Sequence, residues 1–382
     1  MEHGAWDELD PLGHRQLTSV GTLALEARGA LPDVRVAYET WGHLNAARDN
    51  AVLVLHALTG DSHVAGPAGP GHPTAGWWDA MVGPGRALDT DRWFVVAPNV
   101  LGGCQGTTGP ASAGPDGRAW GSRFPFLTVR DQVAAEAALA DVLGIDRWAL
   151  VVGGSMGGMR ALEWAVTYPD RVSAAVVLAA SAYATAEQIA WCQPQLLAIR
   201  SDPAWEGGDY DRSGPGPVAG LGIARRIAHV TYRSELELAQ RFGRNPQGDE
   251  VPLGQGGRYA VESYLDHHAG KLAKRFDAGS YVVLTEAMNS HDIGRGRGGV
   301  RAALRRVTAD LHVVAVDSDR LYPPRLSEEL VEAAPAARPL RVVESEYGHD
   351  GFLIETYQVG AAVREALGCP AVVCHPADRP AG

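Results

Sequence analysis

Val151-Val-Gly153-Gly154-Ser155-Met156-Gly157-Gly158 is the stretch from which the rest of this 382-residue chain can be read. It is a G-x-S-x-G sequence. The apolar run Trp148–Val152 precedes it, and the helical pattern Ala161-Leu-Glu-Trp-Ala-Val-Thr-Tyr-Pro169 follows. A strand, a strained turn and a helix form the context in which a serine hydroxyl is projected above a sheet edge as a nucleophile. Gly153 and Gly157 suit such a turn because a Cβ at either place would crowd it. The helix that begins after Ser155 directs its N–H groups and positive dipole end towards developing negative charge. Glycine-rich strand–helix turns also bind phosphates, but the G-x-G-x-x-G spacing and the G-K-[ST] ending are both absent here.

Further apolar runs recur on both sides of this motif, at Val34–Ala37, Ala51–His56, Trp93–Ala97, Ala174–Leu178, Leu311–Val316 and Leu340–Val343. They are continuous rather than alternating, as expected of strands buried on both faces of a sheet. Thr128-Val-Arg-Asp131 is a capping signal ahead of an Ala-rich helix that Gly144 would end. Strand–helix–strand alternation predicts an α/β fold with a mostly parallel central sheet flanked by helices. Between residues 183 and 299 the strand runs stop, and stretches such as Gly220-Leu-Gly-Ile-Ala-Arg-Arg-Ile-Ala-His-Val-Thr-Tyr232 read as helix. The division this predicts is a discontinuous core, 1–182 and 300–382, with a helical lid insertion at 183–299.

A serine hydroxyl needs a general base and an orienting acid, and behind such a turn the chain order is serine, acid, histidine. His349 lies in Glu344-Ser-Glu-Tyr-Gly-His-Asp-Gly351, a glycine-flanked loop after the last strand run and before a terminal helix, where the base belongs. His312 falls inside a strand run, His291 precedes the required acid, and His375 sits in a Pro-rich tail. The acid should follow Leu311–Val316, where Asp317 and Asp319 both qualify; spacing does not choose between them, and the other would serve as a loop hydrogen-bonding group. An oxyanion hole needs two backbone N–H groups. Met156, directly after the nucleophile, supplies one, and Leu58, in the loop after the strand run Ala51–His56, supplies the second. The HGGG sequence of many lipases is missing.

The formal net charge of −11 and the lack of a Lys/Arg run argue against a nucleic-acid partner. The acidic start Met1-Glu-His-Gly-Ala-Trp-Asp-Glu-Leu-Asp10 is unlike a signal peptide, and the longest apolar stretch, around Ala174–Ala182, is far short of a membrane span. Cys104, Cys192, Cys369 and Cys374 are too scattered for a disulfide framework, and Cys369 and Cys374 lack a second ligand pair, so no metal is expected. The expected location is the cytoplasm.

These residues resemble the homoserine O-acyltransferase family, α/β-hydrolase-fold enzymes of methionine biosynthesis. The likeness runs from about Gly21 to Leu367. Its motifs are His56–Asp61, Gly76–Asp79, Pro98–Pro110, Gly153–Trp164, Ala224–Ser234, His291–Gly299, Ser318–Pro324 and Tyr347–Leu353. It implies a Ser155–Asp319–His349 triad that accepts an acetyl group from acetyl-coenzyme A as co-substrate, with no permanently bound cofactor, and passes it to L-homoserine. It also implies that Arg225 and nearby Tyr232 bind the amino acid, that Asp350 holds its ammonium, and that two copies pair as a homodimer. Seven residues apart on a helix, Arg225 and Tyr232 share a face, and a guanidinium fork suits a carboxylate. The plainer alternatives are a surface ion pair for Arg225, with Arg226 as an equally basic neighbour, and a helix N-cap for Asp350. Other acyl donors and acceptors fit the same machinery: succinyl-coenzyme A, serine, deacetylcephalosporin C, or water in an esterase or thioesterase.

Overall fold

The computed structural model describes residues 4–211, 214, 216–253 and 256–369. Cys374 and His375 lie outside them. Eight strands form one sheet in the order β1-β2-β4-β3-β5-β6-β7-β8. They are β1 (Gln16–Ala24), β2 (Ala30–Trp41), β3 (Ala51–Leu55), β4 (Phe94–Pro98), β5 (Trp148–Gly154), β6 (Val172–Leu178), β7 (Asp310–Val316) and β8 (Arg341–Val343). From β4 to β8 every neighbouring pair is parallel, while β1 and β2 are joined antiparallel and β2 runs antiparallel to β4. All seven apolar runs are strands. Those at the centre, β3 and β5–β7, are buried along almost their whole length, which is why they read as unbroken apolar sequence.

β1 is the strand the sequence pattern did not reveal. It is an edge strand, mostly exposed, with register breaks between Ser19 and Gly21 and between Gly21 and Leu23. Its residues therefore carry neither a buried run nor a clean alternation.

Helices α1 (Val129–Leu143) and α2 (Met156–Thr167) cover the sheet on one face. Thr128 and Asp131 form the reciprocal capping box at the start of α1, and Gly144 ends it in the left-handed region at φ 65°. Between β6 and β7 the chain runs through α3 (Ala186–Arg200), α4 (Val218–Tyr232), α5 (Glu235–Phe242), α6 (Ala260–Ala273), α7 (Ala278–Asn289) and α8 (Val300–Leu304). A separate apolar cluster joins Leu196, Ile199, Leu221, Ala224 and Leu272 of these helices to Met156, Met159 and Leu58 beneath them. After β7 come α9 (Pro324–Ala333), α10 (Gly351–Ile354) and α11 (Thr356–Ala366). No helix among the described residues is long and apolar enough to cross a membrane.

Candidate active site

Ser155 sits between β5 and α2 with φ 56° and ψ −123°, a left-handed backbone conformation that side chains other than glycine rarely adopt. The neighbouring glycines make this turn possible by close approach. A Cβ on Gly157 would lie 2.0 Å from the carbonyl oxygen of Leu55, and one on Gly153 would lie 2.5 Å from the Gly157 backbone. The turn is thus packed against the end of β3, the strand that leads into the proposed oxyanion loop. Strain of about 1–3 kcal/mol at a residue like Ser155 persists only where the surroundings enforce it, as these contacts do.

His349 follows β8 at the start of α10 and is buried. Its Nδ1 lies 2.6 Å from Asp319 Oδ2, which leaves Nε2, without a hydrogen-bond partner, as the nitrogen available to Ser155. Ser155 and His349 line the same cavity, of about 270 Å³. Asp319 is oriented in turn by the N–H groups of Leu321 and Tyr322, each donating to Oδ1 at 2.8 Å. Burial alone would lower the His349 pKa, but the Asp319 carboxylate more than offsets it and the pKa is raised. Tyr322 stacks on the imidazole with ring centroids 5.1 Å apart, and Phe352 meets it edge-on at 5.4 Å. The two candidate acids separate cleanly here: Asp319 holds the histidine, while Asp317 accepts the Ser345 N–H in the adjacent loop at 3.0 Å.

The loop Ala57–Gly60 lines the cavity beside the elbow. Among the described residues, neither the Leu58 N–H nor the Met156 N–H donates to a loop, turn or cap acceptor. Both therefore remain to be used by a developing oxyanion.

The far wall comes from α4, α6 and the His349 loop. Arg225, Tyr232 and Asp350 all line the cavity, as do His229, Arg233, His268, Lys271 and Arg275. The Arg225 guanidinium lies 5.5 Å over the Tyr232 ring; its Nε and Nη1 are buried and unpartnered. Arg226 instead points to Asp266, with Nη2 at 2.7 Å and Nε at 3.1 Å from Oδ1. Asp350 occupies the N-cap position of α10 but makes no capping hydrogen bond. Its carboxylate faces Arg233 at 3.4 Å, and burial raises its pKa against the pull of that arginine. His229 is not legible in the sequence, since one histidine in an amphipathic helix carries no signal. Both its ring nitrogens are buried and unpartnered. Burial and the adjacent Arg225 push its pKa down to about 2, so the ring is neutral.

One group among the described residues brings metal-type ligands together: Glu39, His63 and His72, with ligand atoms within 4.8 Å. The His63 and His72 rings stack at 3.9 Å, 14° from parallel, so their in-plane lone pairs do not converge on one point. His63 Nδ1 is 2.9 Å from Glu39, and His72 Nε2 accepts the His14 N–H at 2.9 Å. These contacts make a hydrogen-bonded framework of His14, Glu39, His63 and His72.

The family of α/β hydrolase fold proteins matches residues 50–356. A homoserine O-acetyltransferase of Thermobifida fusca (strain YX) is 66% identical over 366 residues, which cover 95% of this chain and 96% of that protein. Among solved structures, a homoserine O-acetyltransferase from Bacillus anthracis superposes with a TM-score of 0.85 at 28% identity, over 92% of this chain and 97% of that one. An acetylester hydrolase from Corynebacterium glutamicum superposes with a TM-score of 0.80 at 26% identity, over 94% and 97% of the two chains.

Proposed function

The chain belongs to the homoserine O-acetyltransferase family, and on that premise we propose that it moves the acetyl group of acetyl-coenzyme A to the hydroxyl of L-homoserine through an acyl-serine. His349 Nε2 takes the Ser155 proton as the hydroxyl attacks the thioester carbonyl. Asp319 fixes the tautomer that carries a proton on Nδ1 and stabilises the imidazolium that results. The Leu58 and Met156 N–H groups receive the tetrahedral oxyanion. Collapse releases coenzyme A, with the proton on His349 passing to the departing sulfur. The homoserine hydroxyl then attacks the acyl-serine while His349 removes its proton. Breakdown of the second tetrahedral intermediate gives O-acetyl-L-homoserine and frees Ser155.

The observation that carries this reading is the buried, unpartnered face of the Arg225 guanidinium on the wall of the Ser155 cavity. A buried donor left open on a cavity wall is available to an acceptor that a ligand brings, and a carboxylate matches a guanidinium fork. Asp350, on the same wall, suits the ammonium. Exposed Lys271 at the cavity rim offers charge for the phosphates of coenzyme A. The helices of residues 183–299 serve as the lid that carries these groups, and their exposed Ile189, Leu197 and Ile223 support pairing with a second copy. Purified protein given acetyl-coenzyme A should release thiol much faster once L-homoserine is added, with O-acetylhomoserine as the product. Thiol release indifferent to homoserine would assign the chain to hydrolysis, as in the acetylester hydrolase of the same shape.

A further inference from the structure

We infer that Arg275, from the helical insertion, is a positioning residue for the oxyanion hole, acting on the Leu58 N–H through two intervening peptide groups. The connection can be followed atom by atom. Arg275 Nη1 donates to the Thr59 carbonyl oxygen at 2.7 Å. That carbonyl shares its peptide with the Gly60 N–H, which donates to the Ala57 carbonyl oxygen at 2.9 Å. The Ala57 carbonyl shares its peptide with the Leu58 N–H. Each donor in such a chain polarises the next group, so the bonds strengthen one another, and the last hydrogen in the series is the one offered to the oxyanion.

A second donor reaches the same peptide. His56 Nε2 accepts the Val100 N–H at 3.0 Å. Burial and the nearby Arg160 push its pKa down to about 3. The neutral ring must then carry its proton on Nδ1, which lies 2.8 Å from the Ala57 carbonyl oxygen. Below this, Arg160 donates to the His56 carbonyl and to Glu136, the latter at 2.6 Å. The peptide that carries the Leu58 N–H, and the one before it, are therefore pinned.

The two arginines differ in a way that points to Arg275 as the active partner. Arg160 is fully buried and balanced by the Glu136 carboxylate. Arg275 lines the Ser155 cavity with no carboxylate oxygen within 4 Å among the described residues, and its backbone is fixed by Gln105, which donates to its carbonyl at 3.0 Å. A cation with no carboxylate in contact, Asp61 acting on it only from a distance, favours a transition state in which negative charge appears beside it.

This inference rests on the acyl-serine chemistry proposed above, so its test isolates the first half-reaction with p-nitrophenyl acetate, which has neither the amino-acid groups nor coenzyme A. The wild-type protein should show a nitrophenol burst that Ser155→Ala removes; no such burst would overturn the acyl-serine reading itself. Arg275→Met should slow the burst about 10- to 100-fold, less than the ~10²–10³ lost with an oxyanion donor itself. It should leave the KM for homoserine within about twofold, and Arg275→Lys, which keeps a donor, should recover most of the rate. If Arg275→Met does not fold, Arg275→Gln, which removes the charge, is tested for weakened inhibition by a trifluoromethyl ketone, which forms the tetrahedral oxyanion on Ser155. An unchanged burst with a raised KM for homoserine or acetyl-coenzyme A would overturn the inference and make Arg275 a substrate-binding group. Inhibition of the Gln variant equal to wild type would also overturn it.

Discussion

The elbow and the insertion wall face each other across one cavity and are built on opposite terms. At the elbow, geometry is dictated by backbone contact: Gly157 has no room for a Cβ beneath Leu55, Asp319 is fixed by two N–H groups, and His349 is wedged between Tyr322 and Phe352. On the wall, polar atoms are buried without partners: Arg225 Nε and Nη1 and both ring nitrogens of His229. Leaving such groups open costs about 1–3 kcal/mol each; others that are open, such as Gln132 and the Trp78 and Trp148 indoles, lie away from the Ser155 cavity. On the function proposed above, the core brings preorganised chemistry and the wall brings recognition that a ligand completes.

The sharpest way to break this division is Ser155→Ala. If the chemistry resides wholly at the elbow, transfer should fall by at least ~10⁴-fold, since triad members act as a unit. Thermal melting should stay within about 2 °C of wild type, because the hydroxyl is small and contributes no hydrogen bond to the fold. Substantial transfer by the variant, followed as homoserine-dependent thiol release, would mean that the wall can catalyse direct attack on the thioester without an acyl-serine.

The same contrast explains what could be read from sequence. Glycine spacing around Ser155 is legible because the steric demand is local: four neighbouring positions record it. The central strands are legible because burial on both faces writes a continuous apolar run, whereas β1, exposed at the edge and broken in register at Gly21, writes nothing of the kind. Asp317 and Asp319 could not be separated by pattern, since both follow β7 in one turn and only three-dimensional placement puts one of them against His349. Arg275 was invisible for a different reason. Its partner is a backbone carbonyl 216 positions earlier in the chain, and a carbonyl leaves no trace in residue identity. Arg225 could be paired with Tyr232 from helical spacing, but that it rather than Arg226 faces the cavity rested on family likeness until the side chains were placed.

Recognition by the wall can be sharpened with Arg225→Ala. Losing a charge-assisted contact of about 1.5–3 kcal/mol should raise the KM for homoserine roughly 10- to 150-fold, with each 1.4 kcal/mol worth a factor of ten. Acetylation of Ser155 by acetyl-coenzyme A, followed by intact-protein mass spectrometry in the absence of homoserine, should be spared. Loss of that acetyl adduct would show that Arg225 serves the donor or the elbow, and the two regions would no longer separate by role.

The smallest effect belongs to the residue next door, and it tests the geometry behind the whole division. Successive residues on a helix at 3.6 per turn point about 100° apart, and of Arg225 and Arg226 only Arg225 lines the cavity. Arg226 turns outward to Asp266, with side-chain exposures of 37% and 42% for the two partners. An exposed pair of this kind contributes ~0–1 kcal/mol, even though Arg258 also approaches Asp266, at 3.4 Å. Arg226→Ala should therefore shift the melting temperature by no more than a few degrees and leave the KM for homoserine within about twofold. A rise in KM comparable to that expected for Arg225→Ala would mean that α4 presents the other face to the substrate. In that case the open guanidinium on the cavity wall would not be the anion site, and the claim that the insertion holds its recognition groups unsatisfied until a ligand arrives would lose its main support.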